Sequence, residues 1–146
     1  MQLTNQEQYS KASAIEPEHY EGDLILQVAL HFDLTMALGT ALKYICRAGR
    51  KDGNPFAQEI SKSIWYLEWS KKHELGRENL WLSDRDRANA ILKYTKLLVD
   101  AYGLDFKRAI VVEHILSAID SEIGSYGFEL DIALTALNEI LKEGVS

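Results

Sequence analysis

Apolar residues recur at the three-to-four-residue spacing of a helix face in six successive stretches, each opened by a capping residue or closed by a glycine. That pattern predicts an all-α fold. No stretch reads as a strand: the one pair of adjacent valines, Val111-Val112, lies inside a helical pattern. Residues 1–18 are polar and read as an irregular arm.

The first helix is expected to start at Asp23, which caps Leu24, Ile25, Val28, Ala29 and Phe32. A second helix runs from Thr35 or Met36 to Ala48, with Gly49 as its terminating glycine. In the Lys51-Asp52-Gly53-Asn54-Pro55 turn, Asn54 can cap and Pro55 suits the first helical position. The third helix, about 55–74, buries Phe56, Ile60, Ile64 and Leu67, and Gly76 ends it. Ser83 caps a fourth helix to about Tyr102, and Asp105 caps a fifth to about Ile123. Gly124-Ser125-Tyr126-Gly127 reads as a turn, followed by a sixth helix over about 128–142. The expectation is one helical domain over 1–146. It has a three-helix core at about 17–75 built on a helical hairpin, and a three-helix extension at about 83–144. The weakest boundary falls near 76–83.

Several function classes are disfavoured by composition. No apolar run approaches the roughly 18 residues that span a bilayer, so no membrane role is expected. The N-terminus lacks a basic start followed by an apolar block, and Cys46 is the only cysteine. Both fit the cytoplasm. With a formal net charge of −6, binding to nucleic acid by bulk charge is not expected. There is no CxxC, HExxH or GxxxxGK[ST], and no ExxE followed by ExxD to hold Mg²⁺ on neighbouring helices.

Against that acidic background, Lys43, Arg47, Arg50 and Lys51 crowd into nine residues at the end of the second helix. Thr40, Lys43, Arg47 and Arg50 or Lys51 share one helix face, and Ala41, Leu42, Ile45 and Cys46 share another. The stripe is either a seat for a small anion such as a nucleotide phosphate, or a solvated face whose cations complement the helix dipole. On the third helix, Glu59, Lys62, Tyr66 and Trp69 form a second stripe. If the two helices pack as a hairpin, Lys43, Tyr44, Arg47, Glu59, Lys62 and Tyr66 surround one cleft. Cations would then meet phosphates, rings a base, and the carboxylate a hydroxyl, a metal or a cation. The alternative is a hairpin whose charges pair with each other or with water.

The segment from about Pro17 to Leu67 resembles a small phage and prophage domain of unknown function. Its typical member is the early nucleotide kinase of T-odd podoviruses, which lacks a P-loop. The matching residues are His19-Tyr20, Gly39-Thr40, Lys43-Tyr44, Arg47, Gly49, Lys51, Glu59, Lys62 and Trp65-Tyr66-Leu67. Thr40 replaces the commoner asparagine and Glu59 the commoner aspartate. The resemblance implies phosphoryl transfer from a nucleoside triphosphate to a deoxynucleoside monophosphate, in the host-cell cytoplasm. It implies catalytic roles for Lys43, Arg47 and Glu59, with Glu59 holding Mg²⁺. It further implies nucleotide contacts from His19, Tyr20, Thr40, Tyr44, Arg50, Lys51, Lys62 and Tyr66. One cleft is sparse for two nucleotides, so a homo-oligomer with a shared site is expected. Two other functions remain open: a non-catalytic phage protein that sequesters a nucleotide or inhibits a host protein, and an interaction protein acting through its acidic C-terminal half.

Overall fold

Among the residues described by the computed structural model (20–50, 53, 55–74, 84–118 and 125–144), the chain forms six α-helices and no strand. They are α1 (Tyr20–His31), α2 (Met36–Arg47), α3 (Phe56–His73), α4 (Asp84–Tyr102), α5 (Phe106–Ala118) and α6 (Ser125–Gly144).

Two antiparallel hairpins, α2–α3 and α5–α6, form the frame. They are joined where α3 lies along α6, while α1 packs on α2 and α4, and α4 on α5. One buried cluster draws on all six helices, including Val28, Leu42, Ile60, Leu98, Leu116 and Leu137. Burying each such side chain is worth about 1.5–3 kcal/mol, so the two halves share the core that holds them.

Local signals explain most boundaries. Thr35 caps α2, its Oγ1 accepting from the Leu38 N–H at 3.2 Å. Asp105 caps α5 by accepting from the Arg108 N–H at 2.8 Å. Gly49 follows α2 at φ +83°, and a Cβ there would meet the Phe56 ring at 3.2 Å, so both backbone and space favour glycine. Asn54, Gly76 and Ser83 lie outside the described residues, as do residues 119–124 at the expected end of the fifth helix.

Three boundaries differ from expectation. Helix α1 begins at Tyr20, three residues before Asp23. Pro55 stands just before α3 as its capping residue rather than inside its first turn. The expected turn at Ser125–Gly127 is helical, and α6 starts at Ser125. Tyr126 explains this: its ring is buried in the core and its hydroxyl lies 2.5 Å from Ser70 Oγ. Those contacts outweigh the roughly 1 kcal/mol that a helical glycine costs.

Candidate functional site

The α2–α3 hairpin sets the geometry. Its far end is tied by Glu74, whose Oε1 accepts from Thr35 Oγ1 at 3.1 Å and from Ser70 Oγ at 2.5 Å. Because the Ser70 hydrogen is given to Glu74, the Tyr126 hydroxyl is the donor in the Ser70–Tyr126 pair. This network fixes the register, placing Tyr44 level with Tyr66.

The other end of α2 is held from outside the hairpin. Arg108 of α5 donates through one terminal nitrogen to the carbonyls of Ile45 and Ala48, each at 3.3 Å. Its guanidinium lies over the Phe56 ring at 5.3 Å and pairs with Asp105 at 3.6 Å. The last carbonyls of a helix lack partners of their own, and Arg108 supplies one. Cys46 is packed beneath this cap. Burial pushes its thiol up to about 12, against the opposing pull of Arg108 and Arg47.

Lys43, Tyr44, Glu59, Lys62 and Tyr66 come together between the two helices. The Tyr44 and Tyr66 rings stack with centroids 6.0 Å apart and planes 22° from parallel. Both the Lys43 and Lys62 ammonium groups lie over the Tyr44 ring, at 5.1 and 5.2 Å from its centroid. Lys62 Nζ is 4.0 Å from Glu59 Oε1. Arg47 continues the Lys43 face, half-buried, and its side chain has no hydrogen-bond or ion-pair partner among the described residues. Thr40 lies on the same face and donates its hydroxyl hydrogen to Met36 O at 2.7 Å, leaving its oxygen free to accept.

Glu59 is the most deeply buried member. The hairpin reading placed it in the cleft between the two helices, and it is only 4% exposed, with no hydrogen-bond partner for its Oε2. Leaving a buried polar atom unsatisfied costs about 1–3 kcal/mol, more when it is charged. Glu59 stands on the edge of α3 nearest α2, so packing of the hairpin covers it.

The remaining candidates lie elsewhere. Arg50 carries its guanidinium over the Tyr102 ring of α4, at 5.4 Å, rather than over Tyr44 or Tyr66. Tyr20 opens α1, but its side chain, like His19 and Lys51, lies outside the described residues. Among the described residues, no group of three His, Cys, Asp or Glu comes together to hold a metal. No helix there is long and apolar enough to cross a membrane.

Sequence reasoning missed Arg108, whose role depends on α5 lying beside the end of α2. It also left Trp69 and His73 unused. Their rings lie 4.7 Å apart and continue the Lys62–Tyr66 face toward the far end of α3. That continuation is legible in the i, i+4, i+7, i+11 spacing of Lys62, Tyr66, Trp69 and His73.

A family model described as a protein of unknown function, DUF3310, matches residues 15–68. The match spans α1, α2 and α3 as far as Glu68, and so contains the whole lysine–tyrosine–glutamate cluster. No curated protein and no solved structure matches the chain.

Proposed function

We propose that the α2–α3 hairpin binds a nucleoside phosphate, and that the protein is a phage-type (deoxy)nucleoside monophosphate kinase that works without a P-loop. One observation carries this reading. Two lysines lie over the Tyr44 ring of a tyrosine stack, near a buried carboxylate with an unpartnered oxygen. Rings, ammonium groups and a carboxylate acceptor match the base, the phosphates and a hydroxyl or amine of a nucleotide.

Phosphoryl transfer asks a protein mainly for position and charge. Lys43, Lys62 and Arg47 would hold phosphate oxygens, and Tyr44 and Tyr66 the nucleoside. Magnesium is typically held by one or two carboxylates together with substrate phosphates. The free Oε2 of Glu59 fits that habit, and the metal would supply charge neutralisation on the phosphates. A site shared between copies of the chain would provide further cations.

The test is incubation of purified protein with a triphosphate donor, Mg²⁺ and each deoxynucleoside monophosphate, read by chromatography. Diphosphate is expected, and its loss in Lys43→Ala and Arg47→Ala. No diphosphate from any substrate ends the kinase reading. A second reading, passive sequestration of a nucleotide, is favoured because Glu59 is the single carboxylate in the described cluster. It predicts a nucleotide-dependent rise in melting temperature without turnover.

A further inference from the structure

Beyond the Tyr44–Tyr66 stack, the same side of α3 continues as an exposed aromatic ladder. Trp69 is 41% exposed, and it meets His73 with ring centroids 4.7 Å apart and planes 38° from parallel. Trp65, 58% exposed, stands beside the ladder with its ring edge-on to Tyr66 at 5.0 Å. A surface helix of a soluble protein rarely leaves two tryptophans this open one turn apart.

The register of the hairpin shows what faces this ladder. Thr35 meets Glu74 at one end, and Tyr44 meets Tyr66 farther along. Thr40 therefore lies level with Trp69, and Met36 with His73. Thr40 retains an acceptor oxygen there, and Met36 is largely exposed. At the near end stand Lys43 and Lys62. At the far end, the Glu74 carboxylate already accepts from Thr35 and Ser70.

We infer that Trp69 and His73 form a second base-stacking subsite, so that the ligand of this face carries two nucleobases joined through phosphate. This inference rests on the nucleotide-binding reading of the Tyr44–Tyr66 cluster, in its sequestering rather than its kinase form, and names the class of ligand it takes. Spacing selects linked bases. From Tyr66 to Trp69 the helix rises about 4.5 Å, and from Trp69 to His73 about 6 Å. Neighbouring bases of one strand lie about 3.4 Å apart when stacked and farther apart when unstacked. Two ring pairs about one helix turn apart on one face lie within the reach of two bases joined through phosphate. Donor and acceptor in a phosphoryl transfer would instead need their phosphates between the bases. Aromatic rungs with cations alongside are the usual means of holding a short single strand. An overall charge of −6 limits such binding to this local face.

The experiment is isothermal titration calorimetry of the full chain with thymidine monophosphate, adenosine monophosphate, the linear dinucleotides TpT and ApA, cyclic di-AMP and a deoxythymidine 12-mer. Wild type, Tyr44→Leu, Trp69→Leu and His73→Leu are compared. Circular dichroism melts confirm that these exposed or half-exposed positions leave the fold intact. At least one linked ligand should bind about tenfold or more tighter than its mononucleotide. Trp69→Leu should remove that advantage and leave mononucleotide binding unchanged, whereas Tyr44→Leu should weaken both. The tightest linked ligand identifies the source as a free dinucleotide, a cyclic one or a strand. Mononucleotide binding with no gain from linkage, or with no effect of Trp69→Leu, overturns the second subsite and leaves the nucleotide reading standing. Absence of binding by every nucleotide overturns both.

Discussion

The two hairpins treat their charged residues in opposite ways. On α5–α6, polar groups find partners: Lys107 pairs with Glu139 and Glu143, and the His114 ring lies 2.5 Å from the Glu129 carboxylate. Lys71 reaches Asp131 from α3. On α2–α3, Lys43 and Lys62 rest on an aromatic ring, Lys62 is 4.0 Å from its nearest carboxylate oxygen, and Glu59 keeps one oxygen buried and unpaired. Exposed ion pairs contribute about 0–1 kcal/mol each, so the first arrangement serves solubility and register more than stability. The second costs folding energy, and a ligand that supplies the missing partners would offset it. Charge pairing therefore separates scaffold from candidate site more sharply than charge content does.

The largest expected effect tests whether the contrast sits on a shared base. Leu116→Ala in α5 and Leu42→Ala in α2 should each cost about 2–5 kcal/mol in urea denaturation. Each should shift a single transition. Two transitions, with only one moved by each variant, would show that the hairpins fold apart.

A second test reads the packing beneath the α2 stripe. The Cys46 thiol is raised from 9.0 to about 12, so the folded protein keeps a proton that the unfolded chain loses first. Its contribution is complete below pH 9 and declines as pH rises toward 12, at about 1.4 kcal/mol per pH unit. Cys46→Ala should flatten the fall in stability between pH 9 and 11 relative to wild type, and wild-type Cys46 should resist thiol reagents at pH 8. Rapid labelling of the native protein would show that the cap over Cys46 opens. Lys107 also titrates upward, held there by its hydrogen bond to Glu143, so the comparison belongs between variants rather than against an absolute curve.

The contrast itself is sharpened by a pair of lysines. Lys43→Ala should weaken nucleotide binding about tenfold, roughly 1.4 kcal/mol, while moving stability by less than about 0.5 kcal/mol. Lys107→Ala should leave nucleotide binding unchanged in the same calorimetric titration. Equal effects of the two would erase the distinction between the hairpins. The smallest effect expected is at Gly39, where an added Cβ meets nothing within 4 Å. Gly39→Ala should raise stability by about 0.5–1 kcal/mol in the same urea titration. If stability rises but nucleotide binding falls, the glycine serves the approach of a ligand rather than the helix.

The helices were legible because their signals are local. Thr35, Gly49 and Asp105 act on backbone within four residues of themselves. The α2 stripe was legible for the same reason: its buried and exposed faces follow from a 3.6-residue period. What escaped depends on a neighbour in space. Ser125–Gly127 reads as a turn until Tyr126 finds Ser70, 56 residues earlier in the chain. Arg108 reads as an ordinary cation until it meets carbonyls about 60 residues earlier in the chain. The family match gives the segment that carries the site but stops at residue 68, short of Trp69, His73 and Arg108.

Arg108 has an implication for how the chain could be rebuilt. The end of α2, just past Lys43 and Arg47, is finished by a side chain from a helix outside the matched segment. An isolated fragment ending near residue 75 would leave the Ile45 and Ala48 carbonyls to water and the underside of Phe56 bare. Any relative that joins this hairpin to a different C-terminal region must bring its own donor to that spot, or accept a loosened last turn where the basic residues stand.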